Sequence, residues 1–384
     1  SQRTGKMHTR TRPTTESRFK RIAVFTGTRA DYGLLYWLMR ALQRASDFDL
    51  EIIASGTHLS PEFGNTATFI ENDGFVIADS VEILLSSDTA VGIAKSIGLG
   101  TIGFADALRR ISPDAVIILG DRFEALAIAQ TALVMQIPIV HIHGGEITEG
   151  AYDDAIRHAI SKMAKLHFAS CEAHRRRLIQ MGEEPHRVFN VGAVGLEHLT
   201  RTTFLNRDEL SDSLKFDIRQ KPFFLVTYHP ETASDESPVE SYQALIAALD
   251  HFPGYVKIIT YPNADNGSRA LIPLIEKYAQ RNPDQVVLAP SLGQVRYLSA
   301  MRLAAAVIGN SSSGIIEAPS CHIPTVDIGE RQRGRTRAES VINCGANTDD
   351  IITAIHFSLS PEHQKKLEHC DNPYGAGVSD DVAH

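Results

Sequence analysis

The sequence predicts an α/β protein built from two Rossmann-like domains in series, with parallel sheets facing a deep cleft. Three observations carry this. Short apolar, β-branched runs alternate with helix-like stretches, and the series occurs twice along the chain. The runs are apolar throughout rather than at alternate positions, as in parallel strands buried on both faces. Most end in polar or Gly-containing loops, where open parallel sheets place their ligands.

The first series begins at Arg21. RIAVF reads as a strand, TGTRADYG as the loop after it and LLYWLMRAL as a helix. LEIIAS is the next strand and ends at GTH. DAVIILG and IPIVHIH follow, with the helical EALAIAQTALVMQ between them, and LHFAS and RVFNVG close the set. These runs define a first domain over residues 19–198. TRTTFLNRDELSDSLKFDIRQKP is polar and has no strand signal, so 199–219 reads as a linker with some helix. FFLVTYH, YVKIITY, QVVLAP, AAAVIGN and IPTVDIG then alternate with SYQALIAALDHF, ALIPLIEKYAQR and QVRYLSAMRLA, giving a second domain over 220–355. The remainder, 356–384, is helical and can return to the first domain. Residues 1–18 show no apolar periodicity and read as a disordered tail or an expression remnant.

Composition bounds the function. The chain has 384 residues, 43% hydrophobic and 22% charged, enough apolar material for two cores. A net charge of -8 excludes a general polyanion binder such as a nucleic-acid-coating protein, so any phosphate must be held by a local site. No apolar run is expected to reach the roughly 18 residues of a membrane span. The N-terminus has no signal-peptide core, so the expected compartment is the cytoplasm. Cys171, Cys321, Cys344 and Cys370 form no CxxC pair and are expected to stay reduced.

The motifs sit after the strands. GNSSSGIIE, 309–317, follows a strand and opens a helix. Ser311, Ser312 and Ser313 offer hydroxyls and the helix start attracts an anion such as a diphosphate, while Glu317 can accept the hydroxyls of a ribose. The plain alternative is an ordinary serine cap. In GTRADYG, Arg29 can fork onto a phosphate or carboxylate. GDRFEA places Asp121 and Arg122 at a strand end. HIHGGEITEGAYDDAIRH sets His141 and His143 on one strand face, Glu146 beside two glycines, and Asp153 and Arg157 one helical turn apart, as are Asp154 and His158. His58 follows the second strand and His229 the first strand of the second domain. Each motif alone has a bland reading as a cap, a core histidine or a surface ion pair. Together they form a set suited to proton transfer near neutral pH. Metal-ligand spacing is absent, so no metal is expected.

In the order TGTRADYGLL, SGTH, GDR, GGE with DDAIRH, YHP, YPN and GNSSSGIIE, from about residue 20 to 340, the chain resembles the NeuC-type hydrolysing UDP-N-acetylglucosamine 2-epimerases. The resemblance implies a GT-B-like pair of Rossmann domains. It implies anti elimination of UDP to a 2-acetamidoglucal, addition of water, and release of N-acetylmannosamine for sialic acid synthesis, with no redox cofactor. Carried over by position, Arg29 resembles a diphosphate contact. His58, Asp121, Asp153, Asp154 and His229 resemble the acid–base set, with Arg122 and Arg157 as charge partners. Ser311, Ser312 and Glu317 resemble the UDP clamp, Arg331 reaches the phosphates, and Asn263 of YPN is similar to a uridine-side residue. Several members carry Glu where His143 stands, so His143 joins the catalytic candidates. The expected partner is a UDP-sugar, with no nucleic acid and no membrane, and a homo-oligomer, dimer or tetramer, is expected. Related enzymes use UDP-N,N'-diacetylbacillosamine. A non-hydrolysing 2-epimerase, a GT-B glycosyltransferase and a binding protein without turnover are the rival readings.

Overall fold

The structure, a computed structural model, describes residues 20–59, 66–83, 89–148, 153–231, 237–262, 268–290, 292–376 and 379–384. The first half runs β1 (Lys20–Thr26), α1 (Arg29–Arg44), β2 (Phe48–Ser55), α2 (Ala67–Asn72), β3 (Ile77–Val81), α3 (Ala90–Ile111), β4 (Ala115–Leu119), α4 (Phe123–Val134), β5 (Ile139–Ile142), α5 (Asp153–Met163), β6 (Leu166–Ala169), α6 (Glu172–Gln180) and β7 (Val188–Asn190). Helices α7 (Glu197–Arg201) and α8 (Arg207–Leu214) lead into the second half. That half runs β8 (Phe223–Thr227), α9 (Pro238–Leu249), β9 (Val256–Thr260), α10 (Ser268–Arg281), β10 (Val286–Ala289), α11 (Gly293–Leu303), β11 (Ala306–Gly309), α12 (Ser312–Ile316), β12 (Thr325–Ile328), β13 (Val341–Cys344), α13 (Thr348–Leu359), α14 (Pro361–Glu368) and α15 (Ser379–Ala383).

Both sheets are parallel. The first has the order β3-β2-β1-β4-β5-β6-β7 and the second β10-β9-β8-β11-β12-β13. Strand order reverses between β1 and β4 in one and between β8 and β11 in the other, the positions where a crevice opens beyond the strand ends. The expected two-sheet α/β architecture is therefore the observed one.

The central strands are buried because their sequences are apolar on both faces: β8 is buried at all five positions. Helix α1 covers one face of the first sheet with Leu35, Leu38, Met39 and Leu42, a helical stripe of spacing three and four. Thr28 caps α1 by accepting the Asp31 N–H at 3.1 Å. On the other face, Gly100 and Gly103 let α3 approach α4 and β3: a Cβ at Gly103 would lie 2.4 Å from a Val81 methyl. Two strands, β3 and β13, are absent from the sequence reading. Both are edge strands with mixed exposure, so neither carries a continuous apolar run.

The expectation about apolar length is corrected. At 22 residues, α3 is long and apolar enough to cross a membrane by length and composition, with 33% of the window buried. It carries Lys95 and Asp106, and it packs through Phe104, Ala107 and Leu108 into the core of the first sheet. The segment read as a linker contributes Leu210 and Ile218 to a core of the second sheet. After α14 the chain crosses back. The Ala193 N–H donates to the Tyr374 carbonyl at 2.8 Å, and α15 lies against α1 with Val382 and Ala383 at the first core. Residues 1–18, read as a tail, lie outside the described residues.

At the second reversal, Gly309 has φ +141, and a Cβ there would sit 1.8 Å from the Thr227 carbonyl oxygen. Gly309→Ala is expected to cost more than about 2 kcal/mol, read from the urea midpoint, because β8 and β11 must part at their ends. A midpoint within error of the parent would show that the approach is not needed.

Candidate active site

In the first half the strand-end residues fall into three groups. His58, just after β2, is fully buried. Its Nε2 lies 2.8 Å from Thr26 Oγ1 and its Nδ1 2.7 Å from Thr66 Oγ1, and burial pushes its pKa down to about 4. A neutral ring with both nitrogens engaged ties β1, β2 and α2 together. Nearby, Arg29 opens α1, exposed, with its guanidinium 4.4 Å from the Phe69 ring. Gly56 has φ +64, and a Cβ there would meet the Gly27 carbonyl at 2.5 Å, so SGTH needs glycine for this close approach.

The second group is a clamp. Asp121 and Arg122 diverge after β4. Arg122 turns to the buried Glu124, Nε to Oε2 at 3.3 Å, with Asp31 close by. Burial lifts the Asp31 carboxyl to about 6 against the pull of Arg122. Asp121 turns to Arg157 on α5. That guanidinium is 1% exposed and donates to Asp121 Oδ2, to Asp154 Oδ1, to Thr148 Oγ1 at 3.1 Å and to the Glu146 carbonyl at 2.9 Å. Asp154 also accepts the Thr148 N–H at 2.9 Å. Asp153 sits at the edge of this cluster, and its pKa is raised by burial and then by the Asp121 charge. His141, whose pKa burial pushes down to about 3, fixes the base: Nε2 donates to the Gly120 carbonyl at 2.9 Å and Nδ1 accepts from Ser161 at 2.8 Å.

The third group lies beside the clamp. His143, at φ +65, accepts the Val194 N–H on Nε2 at 3.2 Å, so the neutral ring carries its proton on Nδ1. Burial lowers its pKa, against the pull of Glu146. Its one basic nitrogen is thus used by the backbone. Glu146 is buried, which alone would raise its pKa, yet Arg335, His143 and His174 hold it down to about 2.

In the second half, His229 follows β8 and is bracketed by Asn310, just after β11. Its N–H donates to Asn310 Oδ1 at 2.7 Å, and its carbonyl accepts from Asn310 Nδ2 at 2.8 Å. Burial, then Arg331, pushes its pKa down to about 3. The Asn310 carbonyl accepts from Arg331 Nη1 and Gln332 Nε2, each at 3.0 Å. Glu231 of YHPET accepts the Glu330 and Arg331 N–H groups at 3.0 and 3.2 Å, which holds that loop over β8. Ser311 caps α12, and Ser312 is its first residue. Tyr297 and Ser313 share a hydroxyl contact of 2.5 Å. Glu317 closes α12; burial lifts its carboxyl to about 7, and its Oε2 has no partner among the described residues. Asn263 lies outside the described residues.

So the structure gathers Asp121, Asp153, Asp154 and Arg157 in one cluster, and His229 with Arg331 beside Ser311 in another. Both ring nitrogens of His58 and the Nε2 of His143 are engaged by other groups. Glu231, Asn310, Gln332, Tyr297 and Arg335 were not singled out from the sequence. Asn310 and Glu231 lie inside quoted motifs, whereas Gln332 and Arg335 belong to a basic run, ERQRGR, from which only Arg331 was singled out. Among the described residues no three His, Cys, Asp or Glu side chains converge as a metal site. Two surface hollows of about 300 and 280 Å³, lined by Glu240 with Asn347 and by Phe204 with Arg302, hold none of these motifs.

Two outcomes follow. Removing Arg157 leaves two carboxylates unmatched, so Arg157→Met is expected to lose about 3 kcal/mol of stability in denaturant titration. The Glu317 carboxyl has a folded pKa near 7, above its ordinary 4.5. Folding therefore favours the protonated form, and the ionisation penalty grows between pH 4.5 and 7 and is complete above 7. Glu317→Gln removes it, so this variant should melt higher than the parent above pH 7 and match it below pH 4.5; equal melting at both would exclude the effect.

Comparison with known proteins bears on the same arrangement. The profile of the family described as UDP-N-acetylglucosamine 2-epimerase matches residues 40–382. The chain is 41% identical to the GDP/UDP-N,N'-diacetylbacillosamine 2-epimerase (hydrolyzing) of Campylobacter jejuni, over 86% of each chain. It is 35% identical to the polysialic acid biosynthesis protein P7 of Escherichia coli, over 92% of this chain and 90% of that one. The solved UDP-GlcNAc 2-epimerase of Neisseria meningitidis shares the fold, with a TM-score of 0.79 at 18% identity over 95% of this chain and 98% of that one. With a family match across most of its length and relatives this similar, the chain belongs to the UDP-N-acetylglucosamine 2-epimerase family.

Proposed function

We propose that this protein is a hydrolysing 2-epimerase that converts UDP-N-acetylglucosamine and water to N-acetylmannosamine and UDP, in the cytoplasm, for sialic acid biosynthesis. The observation that carries the reading is the set of carboxylates held around buried Arg157 at the reversal point of the first sheet. A hydrogen on C2 of an acetamido sugar is weakly acidic. Its removal needs a carboxylate held in place and a leaving group already stabilised.

The roles divide by environment. Asp154 is committed to Thr148 and Arg157, so it orients the cluster. Arg157 holds Asp121 in place beside Asp153. Asp153, with its pKa raised, is the group suited to take the C2 proton and hand it to solvent. UDP leaves toward the second half, where Arg331 and the α12 start with Ser311 and Ser312 receive the diphosphate, and the unpartnered Glu317 oxygen accepts the ribose hydroxyls. Arg29 and Arg122 add positive charge from the first half. His229, neutral at physiological pH, is placed to relay a proton from beside Arg331. The C1–O bond breaks as C2–H is lost, giving the glucal. Water then adds its oxygen at C1 and a solvent-derived proton arrives on the opposite face of C2. The name of the Campylobacter jejuni relative favours a second reading of the sugar, the diacetamido UDP-N,N'-diacetylbacillosamine, by the same chemistry. The exposed Val91, Leu99 and Ile102 of α3 with Leu133 and Val134 of α4 support a homo-oligomer.

Incubation in D2O with each UDP-sugar in turn tests both readings. The expected products are UDP and a free manno-configured sugar with deuterium at C2. Hydrogen retained at C2 excludes elimination, and product still linked to UDP makes the enzyme an isomerase. Asp153→Asn should lose about 10²–10⁴-fold in turnover while UDP binding, by calorimetry, is kept. Glu317→Ala should weaken UDP binding by about tenfold or more, and unchanged affinity would place the nucleotide elsewhere.

A further inference from the structure

The acid–base cluster belongs to the first sheet and the nucleotide-side loops to the second, and both need a fixed mutual register for the reaction proposed above. A continuous chain of polar contacts joins them. Asn310, which brackets His229, accepts through its carbonyl from Arg331 and Gln332. The Arg335 N–H donates to the Gln332 carbonyl at 3.2 Å. The Arg335 guanidinium then crosses to the first half, with Nη1 3.4 Å from Glu146 Oε2. The other Glu146 oxygen accepts from Ser170 Oγ at 3.0 Å, and Ser170 also meets His174 Nδ1 at 3.1 Å. The Glu146 carbonyl receives Arg157, which grips Asp121 and Asp154. Two residues further along, Thr148 is bound to Asp154.

We propose that the Glu146–Arg335 pair is a largely buried strut that holds the acid–base loop in register with the nucleotide loop, making both residues positioning residues for the reaction; this rests on the function proposed above. Several features argue for it. Glu146 is spent on Ser170 and Arg335, so it is not a reacting group. It is nevertheless kept ionised in a buried place, which costs solvation unless an opposite charge is fixed beside it. Arg335 is 16% exposed at its side chain and comes from the loop between β12 and β13, far along the chain. Neighbouring contacts share the same seam: Tyr374 donates its hydroxyl to the Thr336 carbonyl at 2.7 Å, and Cys171, Ile315 and Val341 pack with it from both halves. The apolar seam supplies adhesion without direction, whereas an ion pair anchored on both sides sets a register.

The test compares the parent with Arg335→Met, Arg335→Lys and Glu146→Gln, each checked for folding by its melting curve. UDP affinity by calorimetry should stay within about threefold of the parent, because the strut lies behind the nucleotide contacts. Turnover of Arg335→Met and Glu146→Gln should fall about 10–100-fold with KM nearly unchanged, the effect of misplacing a reacting group slightly. The acid limb of their pH–rate profile should move up, since a loosened Arg157 opposes the raised pKa of Asp153 less. Arg335→Lys should recover part of the turnover. A folded Arg335→Met with the parent's turnover and pH profile overturns the strut, and so does a tenfold loss of UDP affinity, which would put Arg335 in the nucleotide site. If the parent itself releases no UDP from either sugar nucleotide, the functional reading fails separately. Hydrogen exchange of the segment 142–163 then decides the strut: faster exchange in Arg335→Met supports it and unchanged exchange overturns it.

Discussion

One buried guanidinium organises the first half of this protein. Arg157 has almost no contact with solvent and donates to four acceptors: two carboxylates, a hydroxyl and a main-chain carbonyl. A planar fork with donors in fixed directions can satisfy such a set, and a lysine at the same place would lack both the reach and the geometry. Because an unmatched charge is costly inside a protein, each acceptor is held where the guanidinium requires it. The ends of β4 and α5 and the loop after β5 are thereby fixed to one another.

The second constraint is backbone proximity at the ends of neighbouring strands, β8 and β11 at the reversal of the second sheet and β1 and β2 in the first. Gly309 against Thr227, and Gly56 against Gly27, bring adjacent strand ends so near that no side chain fits between them. These glycines free no loop. They bring the polar groups of neighbouring strands within hydrogen-bond distance, as between Asn310 and His229. The polar motif residues and those that allow close approach are therefore interleaved in the same short segments.

Burial sorts the titratable groups. His58, His141 and His229 are all driven toward the neutral form by loss of solvent, and two of these rings have both nitrogens engaged with neighbouring polar groups. The same loss of solvent raises Asp153 and Glu317. Glu146 goes the other way because Arg335 stands beside it. A histidine-rich sequence that suggests imidazole acid–base chemistry thus folds so that these imidazoles are driven down, while Asp153 and Glu317 are the carboxyls driven up.

The sequence by itself determined the two-sheet architecture, since a parallel strand buried on both faces must be apolar along its whole length, as β8 is. It also placed Asp121, Asp153, Asp154, His229 and Ser311 at strand ends or helix starts, and Arg157 one helical turn after Asp153, which follows from local pattern. The edge strands β3 and β13 escaped because a half-exposed strand carries mixed residues. Tertiary structure decided what each polar side chain faces. His58 and His143 look like candidate bases in the chain, but their nitrogens are used by Thr26, Thr66 and the Val194 amide, none of them near in sequence except Thr66. Arg335 shows nothing locally and meets Glu146 across nearly two hundred residues. A side chain's proton affinity and partners depend on what the fold packs around it, and that information is distributed over the whole chain rather than written beside the residue.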